Sequence, residues 1–287
     1  MSRLETLTPD ARRLVEGLRD TGYQFNTAVA DVVDNSIAAD AKNIELFLKQ
    51  DFRGNVTLRI YDDGTGMSEA ELLNAMRYGA QVRQSKASLG KFGLGLKTAS
   101  TAFCRRLVVI SRSKPSVQPT TAVWDLDHVK ETGNWEITIG KSSATEIKTF
   151  EETLARKAGT LVVWEKMDRL MKAYKDSGGV AAKKAFSRII EGPAGLRQHL
   201  ATVYQRFLDP ADKRASHINI ILNGTRVEAW DPFCIGESKL EGDENISVDM
   251  PDGGAASIHA IENRTDSRTV FRDKGRLGRK ILDGHSF

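Results

Sequence analysis

The feature that most constrains the fold is a pair of short alternating runs. Ile44, Leu46 and Leu48 alternate with other residues, as do Val56, Leu58 and Ile60, and Arg53-Gly54-Asn55 forms the turn between them. Alternation at period two gives a strand one buried face, and so short a turn joins antiparallel neighbours. A helical stretch stands just before the pair. Phe25, Val29, Val32, Val33 and Ile37 repeat at helical spacing and predict a helix over 25–39. An earlier helix is expected from Thr8-Pro9-Asp10, a capping residue, a proline for the first helical position and an acid for the first turn. Helix, helix, strand, strand is not an alternating βαβ order, so a doubly wound sheet is disfavoured.

Downstream, Ser68-Glu69-Ala70-Glu71 is a capping box that opens a helix ending at Gly79. Residues 80–89 are polar without a clear period and read as a mobile loop, after which a helix is expected over 97–103. Strand-like runs follow at 107–111, 121–126, 135–140 and 160–164, and a helix-rich stretch at 168–208. The expected class is α+β: a two-layer α/β sandwich, one mixed sheet with helices on one face. Asp209-Pro210-Ala211-Asp212 reads as a boundary, giving domains 1–208 and 209–287. Beyond it, Ile218, Ile220 and Leu222 alternate toward the turn Asn223-Gly224, a hairpin signal.

Composition narrows the class of protein. At 287 residues, with 40% hydrophobic and 28% charged, the chain has enough apolar material for a core and suits two domains, or one and part of another. A net charge of +4 permits an acidic partner without demanding one. Cys104 and Cys234 are too few for a disulfide framework and lack metal spacing. No signal pattern opens the chain, and no apolar run approaches the ~20 residues that span a bilayer. The expectation is a soluble, cytoplasmic protein without membrane partners.

Four pieces carry possible chemistry. Asp31 and Asn35 stand four apart, on one side of the predicted helix. Asn35 offers a neutral oxygen suited to Mg²⁺, and Asp31 can orient or deprotonate water. Asp63 sits in the turn Asp62-Asp63-Gly64-Thr65-Gly66-Met67, where a carboxylate can accept from an exocyclic amine while glycines admit the base. Gly90-Lys91-Phe92-Gly93-Leu94-Gly95 precedes a helix, so its amides can hold phosphates, with Lys97 adding charge. Gly159-Thr160 is the fourth piece. Alone, each is a common surface feature, and a phosphate loop ending Gly-Lys-Ser/Thr is absent.

In this order and spacing the four pieces resemble the GHKL superfamily of ATPases over about residues 8–208. That superfamily includes type II topoisomerase ATPase domains, Hsp90 chaperones, MutL and MORC proteins and sensor histidine kinases. The wording Val32-Val33-Asp34-Asn35-Ser36 and Gly90-Lys91-Phe92-Gly93-Leu94-Gly95-Leu96-Lys97 is similar to the MORC-like and topoisomerase-like branches. The resemblance implies a Bergerat-type ATP site with Mg²⁺ on Asn35 and Asp31 as the base or water orienter. It implies adenine contacts from Asp63, Gly66, Met67 and Thr160. It implies phosphate contacts from Gly90, Lys91, Phe92, Gly93, Leu94 and Gly95 in a lid over 80–96, with Lys97 as a catalytic lysine. It further implies slow ATP hydrolysis driving lid closure and ATP-dependent homodimerisation, coupled to DNA or a protein client. The alternative is a non-catalytic ATP-binding sensor or scaffold. A protein histidine kinase ranks last, because no phosphoacceptor-histidine helix pair precedes the domain. Residues 218–233 resemble the opening of the transducer domain of gyrase, MutL and MORC relatives, and no lysine here is assigned to that domain's γ-phosphate contact.

One departure bears on catalysis. Hydrolytic relatives have glutamate where this chain has Asp31. The shorter side chain draws the carboxylate back by roughly 1.5 Å on ordinary bond lengths, and misplacement of about that size can cost a hundredfold in rate. Binding is therefore the firmer expectation and slow turnover the corollary.

Overall fold

The computed structural model describes residues 4–5, 9–20, 22–79, 95–155, 157–174, 177–231, 239–249 and 255–264, the last two segments as backbone. Helices α1 (Ala11–Gly17) and α2 (Phe25–Ala38) lead into strands β1 (Asn43–Gln50) and β2 (Val56–Asp62). Then come α3 (Glu69–Met76), α4 (Gly95–Phe103), β3 (Cys104–Arg112), β4 (Thr120–Asp125), α5 (Leu126–Thr132), β5 (Thr138–Lys141), α6 (Ala144–Leu154) and β6 (Gly159–Met167). Helices α7 (Val180–Glu191), α8 (Leu196–Val203) and α9 (Gln205–Leu208) precede strands β7 (Asn219–Leu222) and β8 (Thr225–Arg226).

The eight strands form one sheet in the order β5-β4-β3-β6-β2-β1-β7-β8. Every neighbouring pair is antiparallel except β1 and β7, so the sheet is mixed, as expected. The capping box at Ser68 is present, with Ser68 Oγ accepting from Glu71 N and the Glu71 carboxylate accepting from Ser68 N. Helix α1 is capped by Asp10, whose carboxylate accepts from Arg12 N at 2.8 Å, while the anticipated cap Thr8 lies outside the described residues.

Parity along the strands sorts the core into two faces. On one, Phe25 of α2 and Phe103 of α4 pack at 5.4 Å, and each meets Trp164 of β6 at 6.3 Å between ring centroids. Such aromatic pairs contribute about 0.5–1.5 kcal/mol each beyond their buried area. The helix with the acid–amide face and the helix after the glycine-rich segment are thus held by one tryptophan. On the other face, Tyr61, Val108, Ile110, Leu161 and Val163 pack with Phe150 and Leu154 of α6. Helix α6 therefore adds a partial cover to the side expected to be bare.

The chain divides into two compact units, Met1–Glu228 and Ala229–Phe287. The division falls after Glu228 rather than at the expected 208, because the hairpin β7–β8 completes the first unit's sheet. Asn219 N donates to Lys42 O at 2.8 Å, and the Asn223 side chain pairs with Leu48 N at 3.0 Å and Leu48 O at 3.2 Å. Among the described residues of the second unit, β9 (Lys239–Asp249) and β10 (Ala255–Arg264) pair antiparallel, with an irregularity between Glu262 and Asn263. Cys104 is buried, and Cys234 lies outside the described residues.

Two glycines are required where β2 ends. Gly66 has φ +62°, and a Cβ there would lie 2.0 Å from Arg112 O. Gly159 has φ +151°, and a Cβ there would lie 2.2 Å from Asp62 O. A Gly159→Ala substitution meets both an unfavourable φ and a backbone clash with the strand that carries Asp62. We expect it to lower unfolding free energy by roughly 2–4 kcal/mol, read from urea denaturation; an unchanged midpoint would contradict the clash.

Candidate active site

Three adjacent strands end in polar residues on the face that α2 covers. The register sets Asp62 of β2 opposite Thr160 of β6, and Thr160 opposite Ser111 of β3. All three are buried. Ser111 Oγ donates to Gly159 O at 3.1 Å, accepts from Met67 N at 2.8 Å and lies 2.9 Å from Thr160 Oγ1. Its one proton is committed to the carbonyl, so the Thr160 hydroxyl is the donor in that pair. Ser36 Oγ donates to Asp62 at 3.0 Å, and Gly64 N donates at 3.1 Å. Burial pushes the Asp62 carboxyl up to about 6, against the downward pull of the Gly64 amide and the Ser36 hydroxyl.

Asp63, the acid singled out from the sequence, is turned elsewhere. Its carboxylate accepts from Lys42 N and Asn43 N, both at 2.8 Å, and from Asn43 Nδ2 at 2.7 Å. Partial burial alone would raise its pKa, but these bonds hold it below the usual value. Asp63 ties the turn to the start of β1, and Asp62 is the acid beside Thr160. Asp63 and Thr160 are both expected at the adenine, and the Asp63 carboxylate is instead bonded to Lys42 and Asn43. The cause is strand parity: side chains alternate across a sheet, so of two neighbouring acids only one can share a face with Leu58 and Ile60.

Helix α2 roofs this floor. Its buried stripe runs through Phe25, Val29, Val32, Val33 and Ser36, which delivers the Ser36 hydroxyl to Asp62. Asp31 and Asn35 flank that stripe. Asp31 Oδ2 accepts from Tyr23 Oη at 2.7 Å, and a Cβ built on Gly95 would stand 3.8 Å from the same oxygen. The acid therefore faces the start of α4. Asn35 is exposed and its Nδ2 donates to Asp31 O at 2.8 Å, which leaves the amide oxygen as the atom a cation would meet. Asp34 goes another way, accepting from Tyr204 Oη at 2.7 Å, and burial raises its carboxyl. It does not stand in for Asp31.

Lys97 is buried, and its ammonium donates to Ala75 O at 2.8 Å, 5.9 Å from the Tyr78 ring centre. The expected catalytic lysine is thus engaged at the C-terminal turn of α3, where helix carbonyls attract a cation. Burial depresses its pKa from 10.5 to about 8. A lowered folded-state pKa gives stability that is full above about 10.5 and lost as pH falls through about 8. Lys97→Met removes that titration. Its stability relative to the unaltered chain should therefore become less favourable as pH rises from 8 to 10.5, measured by denaturant melts. A difference that is flat in pH would refute the buried-amine account.

Of the glycine-rich segment, Gly95 opens α4, while Gly90, Lys91, Phe92, Gly93 and Leu94 lie outside the described residues. Gly66 and Met67 lie in the turn that runs against β3 and β6. Two surface clefts lie apart from this site. One, of about 410 Å³, is bordered by Gln50, Lys183 and Asn223, and the other, of about 590 Å³, by Phe47, Arg59 and Tyr61. Neither includes Asp31, Asn35, Asp62 or Thr160, so donor chemistry rather than cleft size locates the site. Among the described residues, no group of three His, Cys, Asp or Glu could cage a metal. A single amide oxygen fits Mg²⁺, which keeps its waters and takes phosphate oxygens. Sequence reasoning missed Asp62, Ser36, Ser111 and Tyr23. The first three follow from strand and helix parity; Tyr23 had no sequence signal.

A mixed sheet roofed by paired helices is the α/β sandwich of the GHKL ATPases. Residues 23–160 match the family described as "Histidine kinase-, DNA gyrase B-, and HSP90-like ATPase". Over this segment the chain is similar to the GHKL ATPases and, among them, to the MORC proteins. It is 28% identical over 94 residues to ATPase MORC2 of Homo sapiens, covering 31% of this chain and 9% of that protein. It is 33% identical over 87 residues to ATPase morc-1 of Caenorhabditis elegans, covering 30% and 10%. With Protein MICRORCHIDIA 6 of Arabidopsis thaliana it shares 27% identity over 138 residues, covering 44% and 21%. The chain thus spans about a tenth to a fifth of the length of these relatives. Among the described residues, no helix is long and apolar enough to cross a membrane.

Proposed function

We propose that the first unit binds ATP with Mg²⁺ and hydrolyses it slowly. The observation that carries this reading is the floor of Asp62, Thr160 and Ser111 beneath the helix that holds Asp31 and Asn35. In this reading Asp62, in place of Asp63, accepts from the adenine amine, and Thr160 and the backbone around Gly66 and Met67 border the base. Asn35 would hold Mg²⁺, which when bound neutralises charge on the phosphates. The start of α4 at Gly95 directs its amides toward the phosphate end. Asp31 orients the attacking water and takes its proton.

Titration calorimetry with ATP in the presence and absence of Mg²⁺ tests the binding half. Single-turnover release of phosphate tests the other half. No heat in either condition would end the proposal. A second reading, ATP binding without turnover, is favoured by one feature, the aspartate at position 31. We further propose that the bound nucleotide drives lid closure over 80–96 and homodimerisation, coupled to DNA or a protein client. The support is the resemblance to the MORC proteins. Sedimentation with and without a non-hydrolysable ATP analogue measures it, and a monomer in both would remove the dimer.

A further inference from the structure

Tyr23 is a residue for which the proposed mechanism so far has no use. It stands two residues ahead of α2, half-buried, and its hydroxyl donates to Asp31 Oδ2 at 2.7 Å. The Thr98 side chain, on the first turn of α4, hydrogen-bonds the same phenol oxygen. Three hydroxyl or carboxyl groups from three segments thus meet in sequence: Thr98 to Tyr23 to Asp31. Burial raises the Tyr23 pKa, and its bond to Asp31 raises it further, so the phenol keeps its proton and remains a donor. An aspartate has one fewer rotatable bond than a glutamate, and a fixed donor on one oxygen decides which way the other points.

We propose that Tyr23 is a positioning residue: it holds Asp31 Oδ2 so that the second oxygen of this short carboxylate is presented to the attacking water. The inference rests on the ATPase reading above. Thr98 brings the first turn of α4 into the same hydrogen-bonded series as Tyr23 and Asp31. The Tyr23 bond differs from a stabilising contact, because its loss should change the chemical step and leave nucleotide affinity alone.

Tyr23→Phe keeps the ring and removes the hydroxyl. ATP affinity should stay within about twofold, while the single-turnover rate should fall about 10–100-fold, the cost of misplacing a group by ~1 Å. In the Asp31→Glu background, where the longer side chain reaches further unaided, the same change should cost less than about threefold in rate. A readout without nucleotide comes from thermal melting of Tyr23→Phe, Asp31→Ala and the double variant. Their Tm shifts should be non-additive by about 2–4 °C if the bond exists. An equal loss of affinity and rate, an unchanged rate, or additive Tm shifts would each overturn the proposal. Failure of the unaltered chain to bind ATP would instead overturn the ATPase reading, and the melting cycle would still decide the Tyr23–Asp31 bond.

Discussion

Asp62→Asn is expected to weaken ATP binding by roughly a hundredfold or more, because a site built to accept an N–H loses its acceptor and leaves buried polar groups mismatched. Both carboxylate oxygens of Asp62 have assigned donors, Gly64 N on Oδ1 and Ser36 Oγ on Oδ2. An amide keeps one acceptor and sets an NH₂ where the other stood. The backbone donor at Gly64 cannot turn, so the NH₂ falls on the Ser36 side, and the lone pairs of that second oxygen are lost. The substitution should not unfold the chain. The Asp62 carboxyl is raised to about 6, so its neutral form favours the folded state; that contribution is full below about 3.8 and lost as pH rises through about 6. A permanently neutral asparagine escapes the loss at pH 7. Asp63→Asn is the matched control and should change affinity less than about threefold, since Asp63 serves the β1 start. Calorimetry on both variants decides the assignment: full affinity in Asp62→Asn with loss in Asp63→Asn would restore the adenine role to Asp63.

Asp31→Asn should lower single-turnover hydrolysis by about 10²–10⁴-fold, the usual contribution of a positioned general base. Affinity for ATP should hold, because Asn35 and Asp62 are untouched. Asparagine keeps an acceptor for the Tyr23 hydroxyl but cannot take a proton from water, so the test isolates the base from the scaffold. Asp34 offers no rescue, since Tyr204 and partial burial occupy it on another side of α2. Equal turnover in the unaltered chain, Asp31→Asn and Asp31→Glu would remove Asp31 from the chemistry.

Much of this site was legible in the sequence, and the failures have physical causes. Asp31 and Asn35 were placed on one side of α2 by helical spacing, and the structure finds them joined there through Asn35 Nδ2 and Asp31 O. The same kind of reasoning, carried two residues further along β2, would have chosen between the adjacent acids. Leu58 and Ile60 point to the α2 face, and Asp62 continues their parity while Asp63 does not. Ser111 follows Leu107 and Val109 in the same way. Lys97 shows the limit of motif spacing. Its position after Gly95 suggested phosphate, but its amine finds Ala75 O in a helix more than twenty residues earlier, a contact set by tertiary packing. Tyr204 is of that kind too, since it reaches Asp34 of α2 from the end of α8, far along the chain, by a docking that no local pattern encodes.

The parallel pairing of β1 with β7 bears on how the domain can be cut. Asn43 donates to Asp63 and its own side-chain oxygen accepts from Asn219 Nδ2 at 3.1 Å, so the edge hairpin is wired to the turn that follows Asp62. A fragment ending at 208 would strip β7 from β1 and leave a long row of backbone donors and acceptors facing water. Such an open edge is a template for another chain. That fragment should precipitate or self-associate on purification, while one ending after Glu228 keeps β1 paired, leaves only the two-residue β8 at that edge and stays dispersed.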